Sequence, residues 1–237
     1  MRSFFDPLLA LDSLPFLLLG LRYTVLIAVL SMTGGMLLGL PIALARMSSR
    51  SLSRRLARLY ISFMRGTPVL VLLFLFYFGL PSIGIGLPAV WAAIAAFALN
   101  SAAFIAEIDR GAILSVPRGQ WESARSLGFS EAQILFKVVL PQAARVALPG
   151  LSNVMLDLIK ATSLASVITV QEVLLNAKIV AGRTFDTFTM YLTAALVYWA
   201  VCTAFSIGQD RLERRFAFAG DERPGNVTRA ARRGSRR

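Results

Sequence analysis

This sequence of 237 residues contains no histidine and a single cysteine, Cys202. Without histidine there is no Ser-His triad, no haem imidazole and no imidazole proton relay. One cysteine excludes a disulfide scaffold and a cysteine-based zinc site. Charge is also scarce. Only 16% of residues are charged, against about 25% in an ordinary soluble domain. No G-x-x-x-x-G-K-[ST] stretch is present to cradle nucleotide phosphates. What is abundant is apolar: 56% of residues are hydrophobic, and the mean hydropathy is +0.65. These values describe a membrane protein rather than a soluble enzyme.

Crossing about 30 Å of hydrocarbon takes about 20 helical residues. Residues 23–45 carry no charge, and neither do residues 66–106, which are too long for one span and break at the turn-rich stretch 81–88. Residues 146–171 are apolar except for Asp157 and Lys160, and residues 187–209 are uncharged. Five spans follow, near 22–45, 57–80, 89–110, 146–170 and 187–209. The bilayer core cannot hydrogen-bond loose backbone, and these runs lack the alternation of barrel strands. The predicted fold class is therefore an all-α membrane protein with five transmembrane helices.

The net charge of +12 is read through its placement. Of the 25 Lys and Arg residues, 20 fall on the side carrying Arg46–Arg65, the loop after the third span and the C-terminal tail. The positive-inside rule makes that side cytoplasmic, with the N-terminus outside and the C-terminus inside. The basic residues flank spans without interleaved aromatics, so nucleic acid is not an expected partner. Residues 1–20 are read as an external surface segment, 21–218 as the transmembrane domain, and 219–237 as a disordered basic cytoplasmic tail.

The connection between spans three and four, residues 115–141, is a soluble insert. Pro117 suits a helix N1 position. Trp121, Ala124 and Leu127 form one apolar edge, and Gly128 suits a C′ stop. Ser130, with Gln133 three residues later, opens a second helix with a capping box. Ile134, Leu135, Val138 and Val139 give it an apolar face, and Pro141 ends or kinks it. Elsewhere, Pro68 biases Thr67 away from helical dihedrals and Gly66 relaxes the chain, so a kink is expected at Arg65, Gly66, Thr67 and Pro68. Arg65 is expected to snorkel to the cytoplasmic interface. Glu107 and Asp109, beside Arg110, are expected to form an interfacial ion-pair cluster.

Asp157 and Lys160 fall inside span four, where a lone charge costs from about 2.5 kcal/mol upward. At i and i+3 they share a face and can pair. They read either as a neutralised structural pair or as groups lining a solute path, where Lys160 meets a carboxylate and Asp157 an ammonium. Thr162 and Ser163 follow as helix–helix hydrogen-bonding groups or as further lining of that path.

Glu122, Ser123, Ala124, then Gly128, Val138, Leu140 and Pro141 resemble the E-A-A-x3-G-x9-I-x-L-P motif of permease subunits of binding-protein-dependent ABC importers. Arg65 to Pro68, Glu107 to Gly111, Gly119-Gln120, Leu140 to Gln142 and Lys160 to Leu164 resemble the polar amino-acid branch of that family, and the likeness covers roughly residues 20–215. The resemblance implies a type I importer permease fold in the bacterial cytoplasmic (inner) membrane, with no catalysis by this chain. It implies a second permease chain, two P-loop ATPase subunits that bind ATP and Mg, and an external solute-binding protein delivering a polar amino acid or similar zwitterion. Trp121, Glu122, Ala124, Leu127, Gly128, Leu140 and Pro141 would then couple to the ATPase, with Glu122 capping or pairing a basic group there. Members of the family commonly read Lys-Asp-Thr-Ser-Leu where this sequence has Lys160-Ala161, so Asp157 is expected to substitute for the missing carboxylate. An autonomous secondary transporter or channel using Asp157 and Lys160 is the competing expectation, opposed by the absence of an inverted repeat of broken helices.

Overall fold

A computed structural model describes residues 5–216, and side chains over residues 5–211. No strand occurs among the described residues. Nine α-helices follow in order among them: α1 Pro7–Met47, α2 Ser51–Gly66, α3 Val69–Phe74, α4 Ala89–Ser115, α5 Arg118–Ser126, α6 Glu131–Gln133, α7 Leu140–Ala161, α8 Val173–Thr184 and α9 Thr187–Phe216. Four of the described helical stretches are long and apolar enough to cross a membrane: Pro7–Met47, Ala89–Ser115, Glu131–Ile168 and Thr187–Arg211. A fifth span requires counting the bent pair Ser51–Gly66 and Val69–Ile83 as one.

Helix α1 corrects the reading of residues 1–20 as a separate surface segment. Asp6 caps it by accepting the Leu8 and Leu9 amides, and the helix runs unbroken through the supposed boundary. Pro7 sits in the first turn, where its missing N–H leaves no gap. Ser13, Leu17 and Gly20 are buried, with Leu17 packed among Val173, Ala177 and Ala181 of α8 and Met190 of α9. The segment is therefore the first half of a 41-residue helix. The tail 219–237 lies outside the described residues.

Helices α1 and α4 form the central pair, and small residues let them meet. A Cβ on Gly35 would lie 2.4 Å from Ser101 Oγ, and one on Gly39 would lie 2.5 Å from Ile105. Ser31 Oγ donates to Ile94 O at 3.3 Å across the same seam. Close backbone approach and interhelical hydrogen bonds replace the hydrophobic drive that lipid cannot supply. At one end of the pair, Glu107 joins Arg110 at 2.8 Å and Arg46 at 3.6 Å. Asp109 is not part of that cluster. It lines an apolar cavity of about 250 Å³ with Met36, Leu40, Ile113 and Ala147, because residues two apart on a helix point about 200° apart.

The second span expected over 57–80 carries the kink that its sequence suggests, and the bend is sharp. The chain bends by 100° between Gly66 and Val69, at the Thr67–Pro68 position where the sequence places a kink. Two side chains hold the bend against α4: Tyr60 OH donates to Leu99 O at 2.7 Å, and Asn100 Nδ2 donates to Met64 O at 2.7 Å. These bonds set α2 against the middle of α4. Arg65, in the last turn of α2, lies over the Phe104 ring at 5.3 Å.

The two insertions of π-helix share a cause. Leu75–Gly79 precedes Pro81, and Ile134–Val139 precedes Pro141. A proline ring collides with the carbonyl four residues back. Widening the preceding turn to i+5 spacing removes that collision without ending the helix. Pro141 therefore neither ends nor sharply breaks the insert's second helix. Glu131–Ile168 is one helical stretch of 38 residues, and the boundary expected between insert and fourth span is absent.

Between Ile168 and α9 the sequence suggests no element, yet the structure places α8 there. Thr169 turns the chain at φ 67, and Glu172 caps α8. Gly20 of α1 meets this cap so closely that an added Cβ would lie 2.5 Å from the Glu172 carbonyl carbon. Gly20→Ala is expected to destabilise the purified protein by about 1–3 kcal/mol through overpacking against backbone, read as a lowered melting temperature. Gly182→Ala, which meets nothing within 4 Å, should leave it unchanged.

Candidate functional site

Two sets of residues stand out, one on the insert and one on the long helix that leaves it. In the insert, Gly128 adopts φ 79 and closes α5. Its amide donates to Arg125 O at 2.9 Å, and the Phe129 amide reaches back to Ala124 O at 3.2 Å. The left-handed residue and these reversed bonds form the helix stop that the sequence predicts. Ser130 then caps the next helix, with the full capping box to Gln133. Arg125 donates to Glu131 at 2.8 Å and 3.2 Å, clasping the two helices across the turn. That hydrogen bond, followed by the carboxylate's charge, raises the Arg125 pKa further above its usual value. A second clasp joins Gln142 Nε2 to Gln120 Oε1 at 3.3 Å.

The insert's faces divide. Ala124 is buried and Trp121 packs beside it, against Ile113, Ile134 and Val139. Glu122 is exposed. Leu127, expected on the same apolar edge as Trp121 and Ala124, is instead 76% exposed. It is the C-cap residue at φ −82, ψ 3, so the helical register that would have turned it inward has already ended. Ile134 and Val139 are both fully buried although five residues apart, which the π-turn brings onto one face. Leu140 packs partly against the same cluster, and Pro141 is exposed.

On α7, Lys160 Nζ meets Asp157 Oδ1 at 2.8 Å. The pair does not face the helices of this chain: the Lys160 and Asp157 side chains are 60% and 76% exposed. Asn153 is exposed one turn earlier, so Asn153, Asp157 and Lys160 make a polar stripe at i, i+4 and i+7. Beside it, a groove lined by Leu156, Lys160, Cys202, Thr203, Ser206 and Asp210 runs between α7 and α9. Thr162 is not part of this face. It is fully buried and donates to Ile159 O at 2.7 Å. Ser163 is half-buried and donates to Lys160 O at 2.7 Å.

Sequence reasoning missed Glu172, the one fully buried carboxylate among the described residues. It accepts the Leu174 and Leu175 amides, each at 2.8 Å, and the Tyr198 hydroxyl. Asn176 donates to Phe16 O at 2.8 Å, and Lys178 Nζ to Ser166 Oγ at 2.9 Å. These residues fasten α8 to α1, α9 and the end of the long helix. The sequence carried no local signal for Glu172 in this role, because glutamate is not among the preferred N-cap residues.

Comparison with known proteins gives this arrangement a family. Residues 35–218 match the family described as binding-protein-dependent transport system inner membrane component. The chain belongs to that family. It is 55% identical over 213 residues, 90% of this chain and 94% of the relative, to a probable amino-acid ABC transporter permease protein, YckA, of Bacillus subtilis. It is 43% identical, over 85% of this chain and 86% of the relative, to the L-cystine transport system permease protein TcyB of the same organism. A crystal structure described as an amino acid ABC transporter with histidines matches with a TM-score of 0.82 and 38% identity, covering 89% of this chain and 98% of that one. The chain is thus a multi-pass permease subunit of the inner membrane, and its relatives are transport permeases. The family read from the motif residues is the family found.

The local geometry of the insert carries a direct expectation. Ser130→Ala removes the cap at a cost of about 1 kcal/mol, and Gly128→Val forces a β-branched residue into the left-handed region. Limited proteolysis within 115–141 should accelerate for both, more for Gly128→Val, and least for Gly128→Asn, which tolerates that conformation.

Proposed function

We propose that this permease is one of two membrane subunits of an ATP-driven importer for a polar amino acid or similar small zwitterion. The carrying observation is the unbroken helix Glu131–Ile168. Its first turns belong to the insert, and its far part presents Asp157 and Lys160. A displacement of the insert is therefore handed to the polar stripe through one continuous helical stretch.

The two P-loop ATPase subunits hold ATP and Mg, and α5 with Glu122 and the Gly128 turn docks on them. The insert end carries the basic flanks and faces the cytoplasm. The N-terminus is outside, where a solute-binding protein delivers the ligand. An ion pair exposed on a membrane helix is costly toward lipid. That cost supports a second permease chain facing the Asn153, Asp157 and Lys160 stripe, with the solute path between them. The names of the relatives, amino-acid and L-cystine permeases, support the ligand class. In the path, Lys160 receives the solute carboxylate and Asp157 the ammonium, exchanging their mutual contact for contacts with the solute.

Affinity purification from solubilised membranes tests the assembly. A P-loop ATPase should copurify with the native chain and be lost with Gly128→Asp; a native chain that purifies folded and alone would sink the importer reading. Uptake of radiolabelled amino acids by reconstituted transporter tests the path. Lys160→Met and Asp157→Asn should each cut uptake at least tenfold while the ATPase still copurifies. Uptake unchanged in Asp157→Asn would remove that residue from the path.

A further inference from the structure

The turn between α8 and α9 holds an aromatic side chain where the backbone resists one. Phe185 is the C-cap of α8 at φ 58, ψ 17. Thr169 is the one other non-glycine residue at positive φ among the described residues. The Phe185 amide closes α8 by donating to Ala181 O at 2.8 Å, a closure that glycine makes without steric cost. The side chain gains nothing from the fold in return. It is 88% exposed, more than any other large apolar residue described. A bulky residue held in the left-handed region with no packing to repay it points to a role outside this chain.

The turn beneath it is firmly built. Asp186 accepts the Thr189 amide at 3.0 Å and the Thr189 hydroxyl at 2.8 Å. Thr189 Oγ1 in turn accepts the Asp6 amide at 3.0 Å, binding the starts of α9 and α1 together. Phe185 rises from this base beside Phe188, at the rim of a concavity of about 670 Å³ that Asp6, Thr184, Asp186 and Thr187 also line. Arg183 is exposed next to it. An aromatic knob ringed by polar groups is the composition of a protein–protein anchor. Aromatics that sit in the headgroup layer are chiefly Trp and Tyr, which carry a polar atom for it.

Position selects the partner. The turn is joined to the first residues of α1, while Leu44 and Met47 at the far end of α1 pack near the insert. A 41-residue helix spans about 60 Å, against about 40–45 Å for a bilayer with its headgroups. The Phe185 turn therefore stands at or beyond the headgroups on the side opposite the insert. We propose that this turn is a docking knob for the external solute-binding protein: Phe185 enters an apolar recess on that protein, and Arg183 pairs with an acidic group at its rim. The proposal rests on the importer reading above.

The test uses the assembled transporter in proteoliposomes and the purified solute-binding protein that stimulates its ATP hydrolysis. Phe185→Gly relieves the backbone while deleting the knob. The melting temperature should stay level or rise, and hydrolysis without the binding protein should be unchanged. The concentration of binding protein needed for half-maximal stimulation should rise at least tenfold. Phe185→Asn, which also tolerates this conformation, should behave alike, and Phe185→Trp should retain most of the response. Equal stimulation of native and Phe185→Gly transporters would overturn the docking role and leave the importer reading standing. Loss of assembly or of unstimulated hydrolysis would overturn it in favour of a contact with the second permease chain. If no solute-binding protein stimulates the native transporter, the importer reading fails and the docking role with it.

Discussion

A described departure from straight helix at membrane depth has to satisfy its backbone inside the protein, because hydrocarbon offers no hydrogen bonds. The rest of the structure follows from that constraint. At the 100° bend before Val69, Asn100 donates to a carbonyl freed at the end of α2. At the break before α8, Glu172 takes two freed amides with its two carboxylate oxygens. Before Pro81 and Pro141 the helix widens instead of breaking.

The same economy explains the central seam. Lipid gives no hydrophobic reason for two helices to associate, so α1 and α4 rely on close approach. Gly35 and Gly39 admit Ser101 and Ile105 to distances that any side chain would block. Gly20 does the same for the cap of α8. The long first helix becomes a mast against which α4, α8 and α9 are set, and it links the end bearing Phe185 to the end bearing the insert.

Beside that first helix runs the long stretch Glu131–Ile168. Its near end is clasped to α5 through Arg125–Glu131 and Gln120–Gln142. Its far end carries the Asp157–Lys160 pair on an open face. The clasps hold α5 against the near end of the stretch, and the helix continues past Pro141 to the pair. The second permease chain proposed above would cover this open face, where the ion pair would otherwise meet lipid at a cost.

Much of this was legible in the sequence. Apolar length placed the starts of the third and fifth spans at Ala89 and Thr187, while their ends run on to Ser115 and at least Arg211. The spacing of Gly128, Ser130 and Gln133 gave the turn and its cap, because left-handed stops and capping boxes are local and need no tertiary partner. The i, i+3 spacing gave the Asp157–Lys160 pair for the same reason. The sequence also determined the family, through motif residues whose types and separations are themselves local. Tertiary structure alone decided the rest. Whether Pro141 ended a helix depended on a π-turn stabilised by packing Ile134 and Val139 into one cluster. Whether residues 7–20 lay on a surface or in a bundle depended on α8, whose buried Glu172 looks from sequence like an ordinary loop acid. That Asp157 and Lys160 face outward, and that Phe185 stands exposed on a strained backbone, are facts about which surfaces remain once the helices have packed. No local pattern encodes them.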